Sequence, residues 1–121
     1  MVNTSSKKDL PSYLRFIQLV ESIGFIKLSP ELDDIEVHLL DRISIDVLSG
    51  KQVLVGEVLA FTQFGSQATI HNRIKSLTAN GYLSTKIDQM DARRKYLIPT
   101  PLAKKRYEAL SKALLRAASF G

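Results

Sequence analysis

Apolar residues recur along this chain with two different periods, and the change of period marks its parts. Ile70, Ile74 and Leu77 fall at i, i+4 and i+7, one face of a helix. Ser66 precedes that face as a suitable N-cap, and Asn80-Gly81 follows it as the kind of pair that ends a helix in the left-handed conformation. Beyond it, Tyr82 to Ile87 and Lys95 to Ile98 are β-prone and weakly alternating. They flank a polar tip, Asp88 to Arg94, so the stretch predicts a two-stranded hairpin.

Upstream, the spacing predicts a helix from Asp9 to about Gly24, with Pro11 tolerated in its first turn. Leu10, Tyr13, Leu14, Ile17 and Val20 make one apolar stripe, with Phe16, Leu19 and Ile23 beside it. A helix this apolar around its circumference is covered on more than one side. A second copy of the chain is the expected cover; the alternative is that both stripes face one monomer core. The spacing predicts a second helix over about Asp34 to Leu48 with Leu39, Leu40, Ile43 and Val47 inward. Gln52-Val53-Leu54 is a candidate third strand for the hairpin. Val55 to Phe61 is a candidate short helix packing through Val58, Leu59 and Ala60. Pro99-Thr100-Pro101 restarts the chain, with Thr100 as N-cap of a last helix running to about Ala118. Its apolar positions are Leu102, Tyr107, Leu110, Leu114 and Leu115.

Two helices joined by a short glycine-containing turn, then a basic hairpin, make the layout of a winged helix-turn-helix. The expected fold is α+β and mostly helical: a winged helix-turn-helix with flanking N- and C-terminal dimerisation helices. Its 121 residues, 45% of them hydrophobic, suffice for one core. The expected organisation is a single domain over 1–121. Its nucleic-acid-binding lobe spans about 34–98, and its dimerisation helices about 9–27 and 101–119.

Charge sharpens this reading. The net charge is +5, but residues 1–65 carry −3 and residues 66–121 carry +8. Such asymmetry suits a polyanion on one face and a different task for the other half. Residues 31–46 hold six acids and only Arg42 as a base, which suggests a solvated acidic face. There is no cysteine, so disulfides and thiolate metal sites are excluded. No metal or cofactor is expected: His38 has no second ligand near it in sequence, and no Gly-rich phosphate loop, HExxH or Gly-x-Ser-x-Gly occurs. An enzyme is therefore not expected. The polar N-terminus lacks a signal-peptide h-region and no run is long enough to span a membrane, so a soluble cytoplasmic protein is expected.

The candidate chemistry lies on the helix after Ser66 and on the hairpin tip. With Ile70, Ile74 and Leu77 inward, a rotation of ~100° per residue puts Ala68, Asn72, Lys75 and Ala79 outward. His71 and Ser76 flank that face, and Ser66, Gln67 and Thr69 sit at its first turn. Asn and Gln pair bidentately with adenine, Lys reaches guanine, and Ala68 leaves room for a thymine methyl. An ordinary solvated face is the bland alternative. Arg93, Arg94 and Lys95 are consecutive, so they cannot all point into a core. An arginine at such a tip can enter a narrow minor groove, and Asp91 stands where it can brace Arg93.

These residues together resemble the MarR (multiple antibiotic resistance regulator) family of dimeric winged-helix transcription factors, over about Leu54 to Lys104. The resemblance is carried by Leu59-Ala60, Ser66, the Ile70/Ile74/Leu77 face, Asn80-Gly81-Tyr82-Leu83, Asp91-x-Arg93-Arg94 and Thr100, seven residues after Arg93. It implies a homodimer that binds double-stranded DNA and regulates transcription, with Arg93 contacting DNA. It also implies dimerisation through the terminal helices, here Tyr13, Phe16, Ile17, Val20, Ile23, Tyr107, Leu110, Leu114 and Leu115. Arg73 stands where the family usually has an apolar residue, Ala103 replaces a common glycine, and Pro99 a frequent leucine. One helix follows the wing where family members usually have two. Nothing in the sequence supports a small-molecule effector. The reading from another class is a winged-helix module for protein–protein contact or assembly, or a phage- or plasmid-type replication regulator, with no specific operator.

Overall fold

The computed structural model describes residues 10–27 and 30–119. The expectations for residues 1–8 and for Asp9 as a cap lie outside them. The elements are α1 (Ser12–Lys27), α2 (Asp34–Leu48), α3 (Val55–Val58), a 3-10 turn (Thr62–Phe64), α4 (Gln67–Ala79), β1 (Leu83–Ile87), β2 (Lys95–Pro99) and α5 (Pro101–Ser119). The protein is mostly helical, with one antiparallel pair of strands. The chain forms two compact units, Leu32–Lys104, and Met1–Glu31 with Lys105–Gly121.

In the unit Leu32–Lys104, α2 matches the predicted span because both its ends are chemically marked. Asp33 accepts from the Glu36 amide at 2.8 Å while Glu36 Oε1 accepts from the Asp33 amide at 2.9 Å, a reciprocal capping box. Glu36 is thereby buried. Leu39, Leu40 and Ile43 are fully buried, and α2 packs against α4 and β2. Ile70 and Leu77 of α4 are fully buried and Ile74 nearly so. Tyr82, Leu83 and Leu97 from the hairpin, and Val53 and Val58, complete the buried set.

Three expectations for this unit are corrected. The helix predicted over Val55 to Phe61 ends at Val58. Phe61 bonds back to Val58 at 2.9 Å, three residues away, and Phe61 then sets its ring edge-on to Phe64 at 6.1 Å. Two β-branched valines and these tighter bonds favour a short turn over a longer helix. Of the three expected packing residues, Val58 is buried, Leu59 is half-buried and Ala60 is exposed. The acidic run is not simply a solvated face. Asp33 and Glu36 form the capping box, and Asp46 lies 3.6 Å from Arg42 and 4.0 Å from Lys51. The expected third strand is a single bridge, Leu54 with Tyr96, beside a 2.8 Å bond from the Leu97 amide to the Val53 carbonyl.

In the other unit, α1 runs to Lys27, past the expected end at Gly24. Its most buried described residue is Arg15, 7% exposed. The guanidinium donates to the Ala117 carbonyl from Nε at 3.3 Å and from Nη2 at 3.0 Å, to Ser12 Oγ at 3.1 Å, and to the Leu10 carbonyl. A cation on the last carbonyls of α5 satisfies groups the helix leaves open and complements its dipole. Ala113 and Ala117 are buried, Phe16, Ile17, Val20 and Ile23 are half-buried, and Tyr13, Leu14, Leu114 and Leu115 are exposed.

Candidate nucleic-acid interface

The helix that would read bases is set by its two ends. Ser66 Oγ accepts from the Thr69 amide at 3.1 Å and donates to Thr69 Oγ1 at 3.0 Å. Just before it, Gly65 has φ +131°, and a Cβ there would come within 3.3 Å of Thr69 Cγ2, so the turn needs glycine on two counts. At the far end Asn80 stays right-handed and Gly81, at φ +87°, takes the left-handed position. Thr100 then donates its hydroxyl to the Gly81 carbonyl and accepts from the Ala103 amide at 3.3 Å, which starts α5 beside the hairpin.

Between these ends the buried face leaves Gln67, Ala68, His71, Asn72 and Lys75 exposed, with Thr69 and Ser76 half-buried at its margins. The outward set is the one the periodicity predicts. Ser66 spends its hydroxyl on the cap, and Gln67, His71, Asn72 and Lys75 present exposed donors and acceptors on this face. No acid occurs in Gln67–Ala79.

Arg73 behaves differently. It flanks the buried stripe, and its Nε lies 2.7 Å from Asp33 Oδ2, an ion contact outside hydrogen-bond alignment. Asp33 thus caps α2 and meets α4. The sequence does carry a signal for this: a charge next to Ile74 on the packing side needs a partner. It does not say which acid.

The hairpin pairs Leu83 with Pro99, Ser84 with Ile98, Thr85 with Leu97, Lys86 with Tyr96 and Ile87 with Lys95. Asp91 braces Arg93 as expected. Its Oδ1 accepts from the Arg93 amide at 3.0 Å and from Nε at 3.1 Å, and Nη2 lies 3.4 Å from Oδ2. The Arg93 side chain is nevertheless 91% exposed, so its remaining donors face solvent. These bonds hold the Asp91 carboxyl below the usual carboxylate value. Arg94 is half-exposed and Lys95 exposed.

Sequence reasoning missed two features of the wing. The Tyr96 hydroxyl donates to Asp88 Oδ2 at 2.7 Å, which depresses the Asp88 pKa and raises that of Tyr96. No periodicity predicts this pair, because it depends on hairpin register. The second is a groove of about 590 Å³ in which Arg93, Arg94 and Lys95 face Leu54, Val55, Gly56 and Glu57 at the start of α3. Three of the wing's cations, Arg93, Arg94 and Lys95, are therefore gathered along one edge, next to the helix-turn-helix.

No protein-family model matches the chain, and no curated protein matches it. Solved structures do. The transcriptional regulator Tm0710 from Thermotoga maritima is similar with a TM-score of 0.61 at 18% identity, over 87% of this chain and 66% of that one. The S. aureus MepR–DNA complex is similar at 0.59 and 15% identity, over 88% and 78% of the two chains. MarR is similar at 0.57 and 20% identity, over 90% and 79%. At these identities the likeness is one of fold: the chain has the winged-helix fold of the MarR-type regulators.

Proposed function

We propose that this protein is a sequence-specific, double-stranded-DNA-binding transcriptional regulator that acts as a homodimer. Helix α4 enters the major groove and the Arg93–Lys95 wing lies along the adjacent minor groove. One observation carries the reading: an acid-free, exposed helix face lies in the same unit as a wing arginine that is braced by Asp91 and left 91% exposed. Holding Arg93 by one edge limits the freedom it would lose on binding while leaving donors for a phosphate or a narrow groove. The fold shared with the S. aureus MepR–DNA complex supports it.

The two apolar surfaces of the unit containing α1 support the dimer. Tyr13, Leu114 and Leu115 are exposed there, and burying them against a second copy would give a two-fold pair of recognition helices. Such a pair fits an inverted repeat with half-sites about one DNA turn, roughly 34–36 Å, apart. A gel-shift titration against fragments selected from genomic DNA, repeated across salt concentrations, tests the reading. The expected result is a steep fall in affinity with salt, as counterions released from several phosphates require. A shallow slope, or no binding, would favour a protein-contact module instead.

A further inference from the structure

We propose that Tyr96 and Asp88 are positioning residues, a phenol–carboxylate clamp that holds the Arg93–Arg94 tip in its DNA-binding shape. This rests on the DNA-binding reading above. The tip needs holding because nothing packs it. Met90 is 93% exposed, and Gln89, Ala92, Arg93 and Arg94 are exposed beside it. A two-stranded hairpin is marginal on its own, so its loop is ordered by polar contacts or not at all. The backbone supplies two, Asp88 N–H to the Arg94 carbonyl and Arg94 N–H to the Asp91 carbonyl, both 2.9 Å.

Asp91 adds its bonds to Arg93, and the Asp88 carboxylate ties the tip to the strands. Oδ1 accepts from the Met90 amide at 2.7 Å, which fixes the first turn of the tip, and Oδ2 accepts from the Tyr96 hydroxyl at 2.7 Å. Tyr96 is itself anchored, paired with Lys86 across the hairpin and bridged to Leu54 on its other side. Leu54 opens α3 and donates its amide to Glu57 Oε1 at 2.9 Å. An unbroken run of contacts therefore joins the start of the helix-turn-helix to the wing tip. A neutral phenol is suited to this place. It engages the carboxylate without committing a cation, and Arg94 Nε stays 3.9 Å from Oδ2, close enough to be drawn but not locked. The wing arginines stay available to DNA.

Tyr96→Phe in the full chain tests the clamp, because it removes one oxygen and keeps the ring. Two readouts are needed. Without DNA, trypsin cleavage after Arg93 and Arg94 should accelerate roughly three- to tenfold, the equivalent of one net hydrogen bond, with circular dichroism unchanged. Against a selected DNA fragment, affinity should fall by a similar factor with an unaltered salt slope, since no charge is lost. Asp88→Ala should loosen the tip too, and adding Tyr96→Phe to it should loosen it little further, the non-additivity of a shared contact. Cleavage at the wild-type rate in Tyr96→Phe overturns the clamp. Faster cleavage with undiminished DNA affinity overturns its positioning role. If the wild-type protein binds no fragment, the DNA-binding reading and the positioning role both fail, while cleavage still decides the clamp.

Discussion

Arg93 projects from the wing with its side chain exposed and its amide and Nε both held by Asp91. Little is buried there, so Arg93→Ala should leave the thermal midpoint unchanged. It should weaken DNA binding by roughly 1–3 kcal/mol and lower the salt slope by about one. Unchanged affinity and slope in a titration would remove Arg93 from the interface. Asn72 is expected to act differently, as a short side chain on the exposed face of α4. Asn72→Ala should cost about 1–3 kcal/mol on the preferred sequence and relax selection at one or two base positions. Equal weakening on every sequence, measured by competition, would make it a backbone contact. The wing's shape also has a defined acid limit. Asp88 and Asp91 both have folded-state values below the ordinary 3.8, so their contribution is complete above that value and lost only as pH falls through the depressed ones. The Met90 and Arg93 amide resonances should therefore shift with acid at a midpoint below 3.8; a midpoint at or above 3.8 would contradict the assignment.

Helices α2 and α4 are each started by one polar side chain, but the two caps are not equivalent. Ser66→Ala removes an exposed cap and should cost about 1 kcal/mol. Asp33→Ala removes the cap on the Glu36 amide, leaves the backbone bond from residue 33 to Glu36 in place, and strips the buried Arg73 Nε of its nearby carboxylate. It should cost more, about 2–3 kcal/mol, by denaturant unfolding. Equal losses would show that the Asp33–Arg73 contact contributes nothing. The same contact explains how the fold accommodates Arg73 beside the buried stripe of α4. The chain keeps the position on the packing side and supplies an acid from the start of α2.

The proposed dimer rests on the unit formed by α1 and the end of α5. Tyr13, Leu14, Leu114 and Leu115 are all exposed in a single copy, apolar side chains that a second copy would cover. Phe16→Glu and Leu114→Glu should each produce monomers in sedimentation experiments at micromolar protein. Those monomers should bind DNA weakly, because one recognition helix reads too few base pairs. A monomeric wild-type protein with tight, specific binding would refute the dimer. Arg15 is the control within the same unit. It holds the Ala117 carbonyl and contributes no apolar surface, so Arg15→Ala should lower stability rather than shift the oligomeric state alone.

Local signals in the sequence are enough to place α2 at about its observed span, to orient α4, and to separate the wing from its tip. Each of those features is local: an apolar spacing, a cap three residues from its partner, a glycine pair, or Asp91 two residues from Arg93. The short helix before the 3-10 turn ends earlier than its spacing predicts because Phe61 and Phe64 meet only once the chain has tightened behind Val58. The acidic run is solvated at Glu31, Asp33 and Asp34, while Glu36 is buried and Asp46 half-buried, because that depends on which neighbours fold beside them. Three contacts required the folded chain. Arg15 on Ala117 spans the whole sequence, Arg73 on Asp33 joins two helices, and Tyr96 on Asp88 follows from strand register. Charged and polar side chains carry no periodic signature of their partner. Spacing shows that such a group must be satisfied, and only the packing of distant segments selects the atom that satisfies it.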